Sequence, residues 1–217
     1  IQRTNNNEHI SYETRFICNG DLIGHDKNLL IPIQDKNKNI TNYMQVSENL
    51  LMYSDALTKF PTRAMLEHYY EVIVGLNPQL SVHLCIIDID NFKLINDSYG
   101  HVVGDKAIHL TASRISEIMG SQDYACRFGG DEFIVLFVNQ SIEYVMDKCN
   151  QIIHSTKQPI YMYDHSFSLT YSIGIASSTP DNNDYEELFQ KADYALYEVK
   201  SRGKGHILLY NEACSLY

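Results

Sequence analysis

Two glycines and two acids stand between apolar runs in the stretch Arg127-Phe-Gly-Gly-Asp-Glu-Phe133. The flanking segments 124–127 and 133–138 are typical of strands. A Gly-Gly pair between strands permits a tight hairpin with positive φ. A turn needs only one acid of this kind, so Asp131 and Glu132 are candidates for a cation site; the alternative is a solvated acidic turn.

A second acidic stretch, Asp88-Ile-Asp90, ends the apolar run 82–89. Side chains alternate along a strand, so Asp88 and Asp90 share one face. Strand ends are where open sheets expose side chains to ligands. Carboxylates at such a place suit a hard cation such as Mg²⁺, although Asp90 alone also fits a helix N-cap.

Helical and strand patterns interleave around these two stretches. Helical spacing follows Pro61 and recurs over 107–119, 142–153 and 185–199, and strand patterns occupy 167–176 and 206–210. This order predicts an α+β fold, a ferredoxin-like sandwich with a central, mostly antiparallel sheet flanked by helices.

The first 57 residues differ from the rest. Residues 1–46 predict short antiparallel strands that are too few to bury a core alone. They form either the end of an upstream domain or a flap, and they resemble weakly the closing strands of a PAS-type sensor. Residues 47–57 predict a linker helix, which pairs with a second copy or packs on its own domain. We expect the main domain over 58–217.

Composition excludes several classes of protein. The 217 residues carry a formal net charge of −10, which argues against direct DNA or RNA binding and against anionic lipid. The five cysteines form no CxxC pair, which argues against zinc and favours a reducing, cytoplasmic compartment. The chain starts at Ile1, so we expect an upstream sensor and any membrane anchor to precede it.

The hairpin stretch contains Gly-Gly-Asp-Glu-Phe, and further motifs stand in order around it. Together, over about residues 50–210, they resemble the diguanylate cyclase (GGDEF) family. The matching stretches are Asp55-Ala-Leu-Thr58, Pro61-Thr-Arg63, Asp88 to Asp105, Ser172-Ile-Gly-Ile-Ala176 and Ala192 to Gly203.

The resemblance implies a nucleotidyl-cyclase-type fold and an activity. Family members condense two GTP into cyclic di-GMP and two pyrophosphates, with one GTP on each domain of a homodimer. The Asp88 carboxylate, the Ile89 carbonyl, Asp131 and Glu132 would hold two Mg²⁺ per site, with Mn²⁺ as a substitute. Asp131 or Glu132 would also deprotonate the attacking 3′-hydroxyl.

The resemblance also implies how substrate is bound. Asn96 and Asp105 would hydrogen-bond guanine, and Asp105 favours two GTP over a mixed product. The other expected substrate contacts are Asn91, Phe92, Lys93, His101, Gly129, Gly130, Lys200 and Lys204. Each has a structural alternative when taken singly: Asp105 as an N-cap, His101 as a loop residue, Lys200 as a solvated helix end.

Four positions depart from the family pattern. Lys59 and Thr62 replace Gly and Asn in the opening motif, and Lys204 replaces an Arg that contacts phosphate. Lysine lacks the planar fork of arginine, so this contact is expected to be weaker. Gly120 replaces the Arg of the R-x-x-D inhibition site, which predicts no strong feedback inhibition.

Two other functions remain open from the sequence. A catalytically weak GTP-binding signalling module would keep the fold and the nucleotide without turnover, and a dimerising interaction domain would bind no nucleotide. The intact acidic pair favours the enzyme.

Overall fold

The computed structural model describes residues 10–18, 21–34, 40–47, 54–120, 123–155, 160–162, 165–178 and 183–211. The chain divides into two compact units, Ile1–Ser54 and Asp55–Tyr217. Among the described residues, no helix has both the length and the apolar character that a membrane span requires.

The first unit contains a three-stranded antiparallel sheet. Strands β1 (Ile10–Cys18), β2 (Asp21–Gln34) and β3 (Ile40–Ser47) pair in sequence order. The register shifts once in each pair, between Phe16 and Ile17 and between Ile33 and Gln34. These strands agree with the strand-rich pattern of residues 1–46, and the PAS-type origin stays a prediction.

The linker helix predicted over 47–57 is wrong at both of its described ends. Ser47 ends β3, and a turn follows Asp55, whose carbonyl accepts from the amide of Lys59 at 2.8 Å. The Asp55 side chain accepts from the Thr58 amide, and such side-chain-to-backbone bonds compete with helix formation. Residues 48–53 lie outside the described residues.

The second unit has a five-stranded sheet with helices on both faces. Its strands lie in the order β10 (Ile207–Leu209), β9 (Tyr171–Ser177), β4 (Val82–Ile89), β6 (Glu132–Val138) and β5 (Tyr124–Gly129). Every neighbouring pair is antiparallel except the parallel pair β9–β10. A two-stranded hairpin is separate from this sheet. The predicted α+β fold is confirmed. In chain order the elements are α1 (Arg63–Leu76), β4 (Val82–Ile89), α2 (Phe92–Tyr99), α3 (His101–Ile118), β5 (Tyr124–Gly129), β6 (Glu132–Val138), α4 (Ile142–His154), β7 (Ile160–Met162), β8 (His165–Phe167), β9 (Tyr171–Ser177), α5 (Tyr185–Ser201) and β10 (Ile207–Leu209).

The central strand β4 is buried along its whole length, as expected for an apolar run with helices on both sides. One face packs on α2, α3 and α4 through residues such as Ile87, Ala107 and Val145. On the other face α5 lies so close to β9 that a Cβ on Gly174 would overlap the backbone of Ala192 and Leu196. This close approach fixes α5 on the sheet.

Two boundaries differ from the sequence prediction. Helix α3 begins at His101 rather than at 107, because its first turns carry many exposed polar residues that hide the helical spacing. Its N-cap is Gly100, so the N-cap alternative for Asp105 is wrong. The hairpin β7–β8 was not predicted, and β9 begins only at Tyr171.

Candidate active site

The two acidic stretches meet at one end of the central sheet. Asp88 lies directly opposite Glu132 in the β4–β6 register, and the Ile89 amide donates to the Asp131 carbonyl at 3.3 Å. On the other side of β4, Asp88 lies opposite Ser172 of β9. Residues opposite each other share a sheet face, so Asp88, Glu132 and Ser172 lie on the same face.

Helix α5 brings a cation to these acids. Lys200, in its last turn, donates from Nζ to Asp88 Oδ2 at 2.7 Å. The Lys200 side chain is 36% exposed, whereas that of Asp88 is 9% exposed. The ammonium therefore lies on the solvent side of a carboxylate that is itself buried.

Burial and neighbouring carboxylates raise the pKa values of the acids. At Asp88 burial is the largest cause of the raised pKa; Lys200 offsets part of it, and Asp131 and Asp90 add to it. Burial also leads at Glu132, whose pKa the Asp88 carboxylate raises further and Lys200 lowers. Raised pKa values in a cluster of acids are typical of functional sites.

The donor atoms suit a hard divalent cation, although they do not form a closed cage. Carboxylates and the Ile89 carbonyl are oxygen ligands of the kind that Mg²⁺ prefers. Within the described part of the chain, no three His, Cys, Asp or Glu side chains are arranged as a complete metal site. The Lys200 ammonium already places a positive charge on Asp88, so the residues present fit a cation here.

The turn after β4 contacts the loop after α5. Asp90 is 4% exposed; its Oδ1 accepts from Ser172 Oγ at 2.6 Å, and its Oδ2 has no partner among the described residues. Asn91 has a left-handed φ of 56°, and its Oδ1 accepts from Lys204 Nζ at 2.7 Å. The backbone amides at the start of α2, including those of Phe92 and Lys93, lie beside this pair and lack partners within the helix.

The junction of α2 and α3 holds the residues predicted to contact a base. Asn96 Oδ1 is buried, and no described residue hydrogen-bonds it. Gly104 packs so closely that a Cβ there would overlap this oxygen. His101 and Asp105 are exposed on the first turns of α3. The structure therefore brings Asn96 close to the residue that precedes Asp105.

A second ion pair, between Arg127 and Asp55, holds the hairpin turn, and the sequence pattern did not predict it. Arg127 donates from Nη1 to both carboxylate oxygens of Asp55 at 3.0 and 2.9 Å, and from Nε and Nη2 to the Gly130 carbonyl at 3.1 and 2.7 Å. Gly129 and Gly130 are exposed, and Gly130 has a φ of +51°. The only available signal was charge complementarity between two motifs distant in sequence.

The fold and the site together define a class: a nucleotidyl-cyclase-type α+β domain with an acidic hairpin beside its central strand. Residues 52–206 match the family described as "Diguanylate cyclase, GGDEF domain". The chain belongs to this family.

Curated relatives and solved structures agree with that assignment. Diguanylate cyclase A of Treponema denticola is 35% identical over 67% of this chain, which spans 39% of that protein. Diguanylate cyclase DgcS of Shewanella oneidensis is 31% identical over 90% of this chain and 70% of its own length. The GGDEF domain of DgcB from Caulobacter crescentus, solved in complex with c-di-GMP, is 25% identical with a TM-score of 0.69, covering 73% of this chain and 95% of that one.

Proposed function

We propose that this chain is a diguanylate cyclase that condenses two GTP into cyclic di-GMP and two pyrophosphates. The observation that carries the proposal is the meeting of Asp88 with Asp131 and Glu132 at one sheet end, with Lys200 on Asp88. Family membership supports the same reaction. That the chain is located in the cytoplasm stays a prediction.

The reaction is two identical displacements. In each, the 3′-oxygen of one GTP forms a bond to the α-phosphorus of the other, and the bond from that phosphorus to the bridging oxygen of pyrophosphate breaks. The 3′-hydroxyl proton passes to Asp131 or Glu132. The raised pKa of Glu132 suits a proton acceptor, because a base acts best when its pKa approaches the working pH.

The acids would also hold the divalent cations. Asp88, the Ile89 carbonyl, Asp131 and Glu132 are the proposed ligands of two Mg²⁺ or Mn²⁺. When bound, such ions supply positive charge to the attacking and leaving oxygens of an in-line displacement. Asp88 is buried and opposite Glu132, so the fold holds these ligands in place before substrate arrives.

Substrate contacts follow from the remaining residues. Asn96 and Asp105 would read the guanine edge, and the packing of Asn96 against Gly104, the residue before Asp105, supports this. Exposed His101 is a further candidate beside them. The amides of Asn91, Phe92 and Lys93, with Lys200 and Lys204, would bind phosphates at the start of α2. The exposed Gly129 and Gly130 would let the nucleotide approach the backbone.

The test is incubation with GTP and Mg²⁺ followed by mass analysis of the nucleotide, with Asp131→Asn as the control. We expect cyclic di-GMP from the native chain and none from the variant. Binding of GTP without its conversion would instead identify a signalling module without turnover. Absence of nucleotide binding would identify an interaction domain.

Turnover is proposed to need a homodimer, because each domain presents one GTP. Specific activity should therefore rise with protein concentration as the dimer forms. A flat profile in a sample shown to be monomeric would contradict a two-domain site.

A further inference from the structure

The Lys200 ammonium contacts the carboxylate of Asp88, which is a proposed metal ligand. Nζ and Oδ2 are 2.7 Å apart, and the two residues are 112 positions apart in the chain. The acidic cluster consists of Asp88, Asp131 and Glu132. Lys200 lowers the pKa of both Asp88 and Glu132, so its charge acts on the cluster beyond the one contact.

The two partners differ in their freedom to move. Asp88 lies in the fully buried strand β4, where its position is fixed by pairing on both sides. Lys200 reaches the carboxylate from the last turn of α5, and more than a third of its side chain is exposed. A lysine stem is flexible and its ammonium hydrates readily, so the lysine can leave while the carboxylate stays.

An ammonium and a divalent cation compete for the same carboxylate. Magnesium binds oxygen at about 2.0–2.1 Å, so a metal ion on Asp88 would lie within a few ångströms of the ammonium. The two positive charges repel at such short range. The proposed metal therefore binds Asp88 more tightly when Lys200 has moved to another partner.

We propose that Lys200 is an internal counter-ion of the acidic cluster that competes with metal for Asp88, so that metal and triphosphate binding are coupled. This inference rests on the proposed function for the identity of the ligand. A nucleotide triphosphate offers the ammonium released from Asp88 a new anionic partner. Free metal alone binds more weakly, because it competes with the lysine charge without that compensation. Linkage then requires metal to strengthen triphosphate binding by the same factor.

Lys204 provides a matched control. It is the next lysine along the same segment, but its Nζ donates to the neutral Asn91 Oδ1 at 2.7 Å. Removal of either lysine changes the net charge by one unit, whereas only Lys200 occupies the acidic cluster. A general electrostatic effect would therefore appear in both variants, and a counter-ion effect in one.

The experiment titrates the nucleotide-free protein with Mn²⁺, following free Mn²⁺ by electron paramagnetic resonance. We expect Lys200→Met to bind Mn²⁺ about tenfold more tightly than the native chain, within the usual range of coupling between sites. Lys204→Met should change the affinity less than about twofold, as expected for a charge beyond the cluster. Circular dichroism establishes that the variants are folded, and Lys200→Gln provides a second neutral side chain at that position.

The coupling is measured by repeating the titration with a non-reactive α,β-methylene analogue of GTP, after subtraction of the Mn²⁺ that the analogue alone binds in a protein-free titration. The analogue should tighten Mn²⁺ binding to the native chain and should do so much less in Lys200→Met and Lys200→Gln. Equal or weaker nucleotide-free Mn²⁺ binding in both Lys200 variants would overturn the proposal, and so would an equal gain in Lys204→Met. The titration requires no turnover, so absence of cyclic di-GMP in the product assay would reject the proposed function and leave this result interpretable.

Discussion

Two ion pairs hold the hairpin and the strand beside it, and they differ in how completely the carboxylate is satisfied. Asp55 accepts from Arg127 and from the amide and hydroxyl of Thr58. Burial alone would raise its pKa, but these hydrogen bonds and the guanidinium charge outweigh it and lower the pKa. Asp88 has Lys200 as its cation, and its pKa is nevertheless raised, first by burial.

The difference separates a structural ion pair from the pair at the proposed metal site. Arg127 uses all three guanidinium nitrogens, and its carboxylate partner receives further donors, so the pair is complete. The pair of Lys200 and Asp88 leaves a buried carboxylate among other acids. Such incomplete compensation costs stability, and it leaves a site ready for additional positive charge.

The largest expected effect comes from Asp88→Asn. Product formation should fall by at least about a hundredfold, the usual scale for one group that stabilises charge in a transition state. Stability should be unchanged or higher, because the variant removes a buried charge whose pKa is raised. Cyclic di-GMP assays and urea unfolding measure both. Asp147→Asn, which removes a carboxylate on α4 that accepts from Gln151, is the control; a large loss of stability in Asp88→Asn would break the comparison.

Asp55→Asn should have the opposite profile. It removes a charge-assisted contact to Arg127, so the free energy of unfolding should fall by about 1–2 kcal/mol. Product formation should fall less than in Asp88→Asn, because Arg127 holds the Gly130 carbonyl and contributes no proposed ligand. Urea unfolding gives the first quantity. Glu67→Gln, which breaks an exposed pair with Arg63, should cost less than about 0.5 kcal/mol; equal effects would show that Asp55 is an ordinary surface acid.

The site was predictable where its signals are local. An apolar run ending in Asp88 and a Gly-Gly pair before Asp131 are both visible within a few residues. The hairpin joins β5 to β6, and β6 then pairs with β4. A one-residue slip in that pairing would turn the apolar residues and the acids to the wrong faces. The meeting of these acids is therefore largely contained in the pattern.

The contacts that hold the site were not predictable, because their partners are distant in sequence. Arg127 and Asp55 are 72 positions apart, and Ser172 and Asp90 are 82 positions apart. The family resemblance implies a phosphate as a partner of Lys200, and the structure adds Asp88, which the sequence did not indicate. A single sequence specifies which residues are charged, but the choice of partner depends on packing between helices and sheet.

The two carboxylates should respond to pH in opposite directions. The lowered pKa of Asp55 means that its contribution to stability is present above the ordinary value of 3.8 and is lost as pH falls through the lower folded value. The raised pKa of Asp88 means that its cost appears as pH rises from 3.8 through the higher folded value.

Urea unfolding of the native chain and both Asn variants between about pH 3 and pH 7 measures these contributions. As pH rises, the free energy of unfolding of the native chain should increase relative to that of Asp55→Asn. Over the same rise, the free energy of unfolding of Asp88→Asn should increase relative to that of the native chain. Parallel curves for the three proteins would show that neither carboxylate has a perturbed pKa.

The smallest expected effect sharpens the comparison with a third acid. Burial raises the pKa of Asp123, yet its Oδ2 accepts from the Gly120 amide at 2.7 Å and from the Tyr144 hydroxyl at 3.2 Å. The local loop thus uses Oδ2, whereas the buried Oδ1 has no partner among the described residues. Gly120 also replaces the arginine of the inhibition motif, and a Cβ there would approach the Tyr144 hydroxyl to 2.7 Å. Added cyclic di-GMP should therefore change the initial rate less than about twofold at concentrations that saturate ordinary regulatory sites. Tight inhibition, abolished by Asp123→Asn, would show that this acid binds product without the arginine of the motif.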